Sequence, residues 1–579
     1  MQGEIIRRIR AAHALALLVR ITVLCALAGG AIACKRTPQP APIPTRAWLE
    51  GELPSDVYEG TPVQGGTLTV RLPAEPAMLN RLHDAGQDAW LVRILFGSVY
   101  ETLLTIDRTR APEYPLAPGL AESWEVSPDG LSTTFRLRRD VRFHDGSPFS
   151  SADVRAVIDA VMDPRNPTTR MRGYLTDLAG CDTPDRYTVV LRWKRPFLHA
   201  ARGFALGFPM VSAKALQGDF DALPINRAPI GTGPFKFEKW ETGREISLVR
   251  NDDYYGSKAH LDRVVFRIVR DGTIATQLFE RGEFDLMTAI PPNVWRELEK
   301  PTPQHAWAIR GYHRIRFTEN AFNWIGWNEA RPMFADRRVR RALTQLVPVE
   351  AVYRNLTLGL EPPTTCPYYS RGPSCDPALE APDSPLRLRH DSQRARELLR
   401  EAGWADTDGD GILDKDGVPF RFSFLVFSHS VQGGNLAALL KEEFRKAGIA
   451  MQIDSAEWAV FLERLRKHDF DAVVLGSATA DVENDLFPSF HSSQRDGGEN
   501  YLSYANAEVD ELLDRARRAL DPEERIRLHR RIHRALYEDQ VLTFLGARSS
   551  LDAVKVHVKG IRPSIDWYRL ADVWLSPPG

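Results

Sequence analysis

The sequence predicts an α/β protein of more than one lobe. Three observations carry this: short β-type runs alternate with amphipathic helices from Gly65 onward, no fixed-period repeat is present, and 579 residues with 43% hydrophobic content supply more than one core. Residues 67–70, 134–137, 187–191, 246–249 and 264–269 are β-branched or aromatic and bounded by turn residues such as Ser127, Pro128, Asp129 and Gly130, which makes them strands. A surface helix is expected over 391–403, where Ala395, Leu398, Leu399 and Ala402 fall on one face, Asp391 caps the start and Gly403 ends it. A second helix runs over 436–447, followed by alternation at Ile449, Met451 and Ile453. A third spans 458–465, and it leads into the apolar run 470–475, the pattern of a strand covered on both faces. Residues from about 323 to 536 therefore read as an α/β lobe of their own.

Charge narrows the function. Lys and Arg total 75 and Asp and Glu 76, a net charge of −1, so no cation excess exists to release counterions from a polyanion, and nucleic acid is not an expected partner. After the N-terminus no apolar run approaches the roughly 20 residues of a membrane span. The first 33 residues are Arg-rich, then apolar, and end in small residues, which is the pattern of an export signal. Ala31, Ile32 and Ala33 before Cys34 resemble a lipobox, which implies a lipidated Cys34 and a membrane-tethered, extracytoplasmic body. Pro38, Pro40, Pro42 and Pro44 favour an extended spacer after it. Cys366 and Cys375 flank a Pro/Gly loop able to bring them within bridging distance, so a disulfide is expected there. Cys181 is left as a buried thiol.

The search for catalytic motifs returns no phosphate loop, zinc helix, nucleophile elbow or paired CxxC, so no enzyme is expected. His529 and His533 share a helix face but lie among cations, which favours a solvated or core-edge helix over a metal. His144 and Asp145 read as a turn. Asp406, Asp408, Asp410 and Asp414 alternate around Gly411 in a tight acidic loop, the donor set of a structural calcium site. Gly417 stands where a calcium loop of the EF-hand type has its bidentate Glu. No cofactor is required.

Six stretches then resemble, in order, one known family: YETLL (100–104), LAPGLAESWEVSPDG (116–130), TFRLRRDVRFHDGSPFSSADV (134–154), GTGPFKFEKW (231–240), RNDDYYG (250–256) and RGEFD (281–285). They are similar to the extracytoplasmic solute-binding proteins of ABC importers, peptide-binding class, family 5. The resemblance implies a bilobed periplasmic-binding-protein type II fold with an additional subdomain on lobe 1. It divides the chain into signal (1–33), tether (34–62), lobe 1 (63–105, 225–320 and 539–579), extra subdomain (106–224) and lobe 2 (321–538). FADRRVRRAL (334–343) looks like the family's opening helix of lobe 2. Pro348 replaces an Asp usual in the family and removes a capping carboxylate.

The same resemblance implies the site. Peptide-binding members hold the ligand's ammonium with an Asp in a Gly-containing loop, here Asp481 after Gly476, with Asp485 the alternate. Trp458 and Trp324 match pocket aromatics, and Ser477 stands where peptide binders often carry Trp. The expected function is capture of an oligopeptide or peptide-like solute by a monomer, with delivery to an ABC permease. The alternatives are a nickel chelate, haem or an oligosaccharide stacked on Trp324, Trp327 and Trp458, or a role as an extracytoplasmic sensor.

Overall fold

The computed structural model describes residues 57, 60–86, 89–110, 114–196, 202–204, 207–299, 311–478, 481–565 and 567–577. The expected signal, Cys34 and almost all of the tether lie outside the described residues. Thr45–Gly579 is one compact unit.

Among the described residues ten strands form one mixed sheet. Its order is Ala450–Ala456, Arg421–Phe427, Ala472–Ala478, Tyr312–Trp327, Leu542–Lys555, Leu286–Met287, Thr67–Leu72, Arg263–Ile268, Glu245–Arg250 and Phe235–Glu241. The two long central strands run antiparallel and serve both lobes. At one end Leu286 and Met287 pair with Val554 and Ala553; at the other, Ala472 pairs with Trp327. Their register shifts between Thr318 and Phe322 and again between Asn323 and Trp324. Such irregularities bend and twist a ladder locally.

Strand period sorts the lobe 2 core into two layers. On Arg421–Phe427, Leu425 packs with Phe322, Trp324, Val473 and Phe544 on one face of the sheet. Its neighbours Phe424 and Val426 pack with Ile325, Trp327, Leu440 and Phe444 on the other. Both faces are covered, which explains the near-continuous apolar run of this strand. Lobe 1 has its own core, in which Leu68, Val70, Phe235, Leu248, Val264 and Phe266 of the large sheet join Phe135, Val154 and Leu191. The latter three belong to the extra subdomain, a four-stranded sheet in the order Ala121–Val126, Ser132–Leu137, Thr188–Trp193, Leu178–Asp185 with the helix Ser151–Met162. Asp153 fixes that helix start by accepting the Ser150 N–H at 2.8 Å.

The stretches that carry the resemblance act here as ties between segments. Glu101 of YETLL accepts the hydroxyls of Tyr254 at 2.7 Å, Tyr255 at 2.9 Å and Thr232 at 2.8 Å, so three of the stretches meet on one carboxylate, which burial pushes up in pKa. His144 accepts the Gly231 N–H at 3.3 Å through Nδ1 and donates to the Gly233 carbonyl at 3.0 Å through Nε2. Burial holds His144 neutral, down at about 4. Gly231 has to be glycine, because a Cβ there would sit 1.9 Å from the Val99 carbonyl oxygen. Asp285 of RGEFD accepts the Thr69 N–H at 2.8 Å and the Lys555 ammonium at 2.9 Å, which joins three strands.

Two helices differ from expectation. The helix expected over 436–447 begins at Val431, because the Ser430 hydroxyl accepts the Gly433 N–H and offsets the helix-breaking tendency of Gly433 and Gly434. The helix Val349–Leu356 starts directly after Pro348, whose carbonyl accepts the Val352 N–H at 2.8 Å, so the missing Asp does not unmake the helix. The strand Tyr312–Trp327 carries Arg, His, Glu and Asn among its apolar residues, and its alternation is too polar to read as a strand from sequence.

Glu101→Leu leaves three hydroxyls without their acceptor and is expected to cost about 2 kcal/mol or more, read as a lowered urea midpoint against the parent chain.

Candidate functional site

The strand Ala472–Ala478 ends where lobe 2 meets the extra subdomain, and the chain then makes a turn closed by the Asn484 N–H to the Asp481 carbonyl at 3.2 Å. Asn320 of the crossing strand donates to that same carbonyl at 2.8 Å, which fixes the turn against the inter-lobe connection. The Asp481 carboxylate accepts the Glu483 N–H at 3.0 Å and Arg202 Nε, from lobe 1, at 2.6 Å. The two side chains are only 16% and 10% exposed, so this is a desolvated, charge-assisted bond across the seam. Arg202 also faces Glu483 at 3.7 Å, and Arg525 of the helix Pro522–Asp539 bonds Glu483 from behind.

Asp485 is engaged elsewhere. Arg517 grips it at 2.7 and 2.9 Å, stacks on Phe487 at 3.9 Å and lies 3.7 Å from Asp177 of the extra subdomain. Arg170 with Glu499 at 3.7 Å and Arg195 with Asp514 at 3.8 Å add further cross-seam pairs. An apolar contact lies nearby: Ile106, Tyr114 and Ile565 pack with Tyr369 and Val482.

The aromatic residues do not assemble as one platform. Trp324 is 7% exposed and donates its indole N–H to the Ser477 hydroxyl at 2.9 Å. Gly476, paired with Asn323, leaves room for that residue's amide: a Cβ would lie 2.7 Å from Asn323 Oδ1. Trp458 is 46% exposed at the start of the helix Trp458–Arg466, stacked on Phe461 and edge-on to Phe427. Trp327 is buried on the opposite face from Trp324, among Phe334, Phe422 and Phe444. The set of Trp324, Trp327 and Trp458 expected for a stacked sugar is therefore not brought together, because strand alternation sends 324 and 327 to opposite faces.

A cavity of about 200 Å³ opens where the crossing strand passes between lobes, lined by Tyr114, Arg316, Thr318, Tyr369 and Arg371 among others. Of the buried acids in neighbouring segments, Glu319 is paired with cations, whereas Glu361 and Asp552 are held by neutral donors. Glu319 accepts Arg93 at 2.5 Å and lies 3.7 Å from Arg548. Glu361 accepts a long bond from Asn323 at 3.4 Å; burial pushes it up to about 7, against the pull of Arg548. Asp552, pushed up to about 6 by burial, accepts the Tyr568 hydroxyl at 2.8 Å and the Ala289 N–H at 3.0 Å.

The remaining sequence candidates have structural settings. Cys366 and Cys375 are joined as a disulfide with Cα atoms 5.7 Å apart. His529 and His533 are both buried and hold this loop: His529 meets the Ser374 hydroxyl at 3.0 Å, and His533 accepts the Asp376 N–H at 3.0 Å. Their four-residue spacing serves the core, and burial brings His533 down to about 4. Cys181 is a buried free thiol, pushed up to about 11 by burial. Oxygens of Asp406, Asp408 and Asp414 lie within 4.8 Å of one another, a donor set that fits a hard cation, whereas Asp410 points to Arg421 at 3.5 Å. These carboxylates also accept N–H groups of their own loop, from Gly409 at 2.8 Å, Asp410 at 3.1 Å and Thr407 at 2.8 Å, so the loop is closed by internal bonds. Sequence reading missed Arg202, Arg316 and Arg371, since an arginine in HAARGFALG or YYSRGPS carries no local signature.

Two lobes joined by crossing strands, with a polar seam between them, define a solute-binding protein. Residues 115–498 match the family described as bacterial extracellular solute-binding proteins, family 5 Middle, and the chain belongs to that family. It is 28% identical over 532 residues to the oligopeptide-binding protein AppA of Bacillus subtilis, covering 89% of this chain and 93% of AppA. The structure of AppA in complex with a nonapeptide superposes with a TM-score of 0.75 at 26% identity, over 89% of this chain and 100% of that one. That of AgaA from A. tumefaciens in complex with agropinic acid also gives 0.75, at 25% identity over 89% and 99%. Among the described residues no helix is long and apolar enough to cross a membrane.

Arg202→Met leaves Asp481 and Glu483 facing the seam without their lobe 1 cation. A cost of about 3 kcal/mol to this contact is expected, seen as a larger radius of gyration in small-angle scattering. Glu361 titrates at about 7 when folded against an ordinary 4.5, so the folded chain binds more protons and stability falls as pH rises through that window. Glu361→Gln removes this component: urea midpoints fall less between about pH 5 and 8 in the variant than in the parent, all other groups being common to both.

Proposed function

We propose that the protein captures an oligopeptide or peptide-like solute between its lobes and delivers it to the permease of an ABC importer, as a monomer held to a membrane by lipid on Cys34. The single observation that carries this reading is Asp481: a desolvated carboxylate at the seam, presented by lobe 2 toward lobe 1. A solute's ammonium group is the natural partner for such a carboxylate, since either charge alone in a dry cleft is costly, and it would share Asp481 with Arg202. Gly476 and Trp324 shape the strand end that leads to this turn. The lobe boundary at 320/321 is part of the reading, and the register shift between Thr318 and Phe322 supports it. Similarity to AppA, whose structure holds a nonapeptide, supports the peptide class.

A non-peptide solute is the second reading, favoured by Ser477 where peptide binders often carry Trp and by similarity to AgaA with agropinic acid. The dispersed Trp side chains weigh against an oligosaccharide, and the engagement of His529 and His533 in the core weighs against a chelate site built on them.

Native mass spectrometry of Thr45–Gly579, followed by mild denaturation and sequencing of what is released, tests the reading. A set of short peptides of mixed sequence, lost in Asp481→Ala, is expected. A single sugar, chelate or acid, or peptides retained unchanged in Asp481→Ala, overturns the ammonium assignment.

A further inference from the structure

We propose that the seam cavity is an anion subsite, in which Arg316 and Arg371 receive a carboxylate of the bound solute. This deepens the solute-capture reading and rests on it. The cavity of about 200 Å³ is walled by both lobes: Tyr114 and Ile565 from lobe 1, Arg316 and Thr318 from the crossing strand, and Tyr369 and Arg371 from the disulfide loop of lobe 2. The solute therefore meets this wall only where the two lobes approach each other.

Two guanidiniums line this space, and among the described residues neither forms an ion pair with a carboxylate. Arg316 is anchored by its Nη2 to the Leu360 carbonyl at 2.7 Å, which fixes the plane of its fork. Burial, and then repulsion from Arg296 and Arg371, hold Arg316 below the ordinary arginine range. The acids near it compensate poorly. Glu299 is taken by Arg296 at 2.7 Å, and Glu361 is pushed up to about 7 by burial and so is largely protonated below neutral pH. Elsewhere along the seam the arginines have carboxylate partners: Arg202 has Asp481, Arg517 has Asp485 and Arg93 has Glu319. Two like-charged forks around a cavity, that of Arg316 partly desolvated, are relieved by a planar anion, and a carboxylate offers two oxygens for such forks. Its source is either a chain terminus or an acidic side chain, which share this chemistry.

The test uses the full chain in detergent and calorimetry with three peptides: tetra-alanine as the free acid, tetra-alanine amide, and Ala-Ala-Glu-Ala amide. At least one acidic peptide is expected to bind about tenfold or more tightly than the neutral amide, as charge-assisted bonds to a carboxylate provide. The better of the two identifies terminus or side chain. Arg371→Gln, at an exposed position outside the cores, is expected to erase that preference, and Arg316→Lys to reduce it. Equal affinity for all three peptides, or a preference that survives Arg371→Gln, overturns the subsite. Succinate is the probe that needs no peptide: it is expected to protect Arg371 from phenylglyoxal. If no peptide binds but succinate protects, the peptide reading fails and the subsite stands; if succinate does not protect, the subsite fails. Equal protection by inorganic phosphate overturns the carboxylate assignment.

Discussion

The pairing of Tyr312–Trp327 with Leu542–Lys555 is the constraint on which the rest depends. These strands are the middle of the large sheet, and each contributes one part of its length to each lobe. Every strand of lobe 1 in that sheet hangs from one end of the pair and every strand of lobe 2 from the other. The ladder between these strands is irregular between Thr318 and Phe322, where such a shift bends and twists it locally. The residues that flank this irregularity are also those that meet the seam: Arg316 and Thr318 line the cavity, Glu319 pairs with Arg93, and Asn320 holds the Asp481 turn.

The seam is electrostatic more than apolar. Among the described residues, besides the small packed group around Tyr114 and Val482 and the Asn320 bond to the Asp481 carbonyl, the seam carries ion pairs in which an arginine on one side meets an acid on the other. Charged contacts of this kind set orientation and partner choice at modest net gain, since desolvation offsets much of the attraction. The lobes proper, by contrast, have continuous apolar cores.

Much of the fold was legible. Helix positions such as Ala395, Leu398 and Leu399 fall on the buried face that their spacing predicts, with Asp391 accepting two N–H groups at the start. The six stretches that carry the family resemblance were legible too, and they prove to be ties within lobe 1: Glu101, His144 and Asp285 each bond residues more than 80 positions away. The site was less legible. Asp481 stood out through its loop, but nothing local distinguishes Arg202, 279 positions away, as its partner. Asp485, four residues from Asp481, is tied up by Arg517, and Trp327 is a core residue, because strand parity and helix packing decided where each points.

By itself the sequence determined many of the element types, though not the strand Tyr312–Trp327, together with the export-type N-terminus as an expectation, the family resemblance, and the local caps and turns, since these depend on residues a few positions apart whose spacing can be read directly. Only the tertiary structure decided which carboxylate faces which guanidinium, which tryptophan is wall and which is core, and that two arginines share one cavity. These outcomes depend on burial and on distances between segments hundreds of residues apart. A charge acquires its meaning from its partner and its desolvation, and neither is a property of the residue's own neighbourhood in the chain.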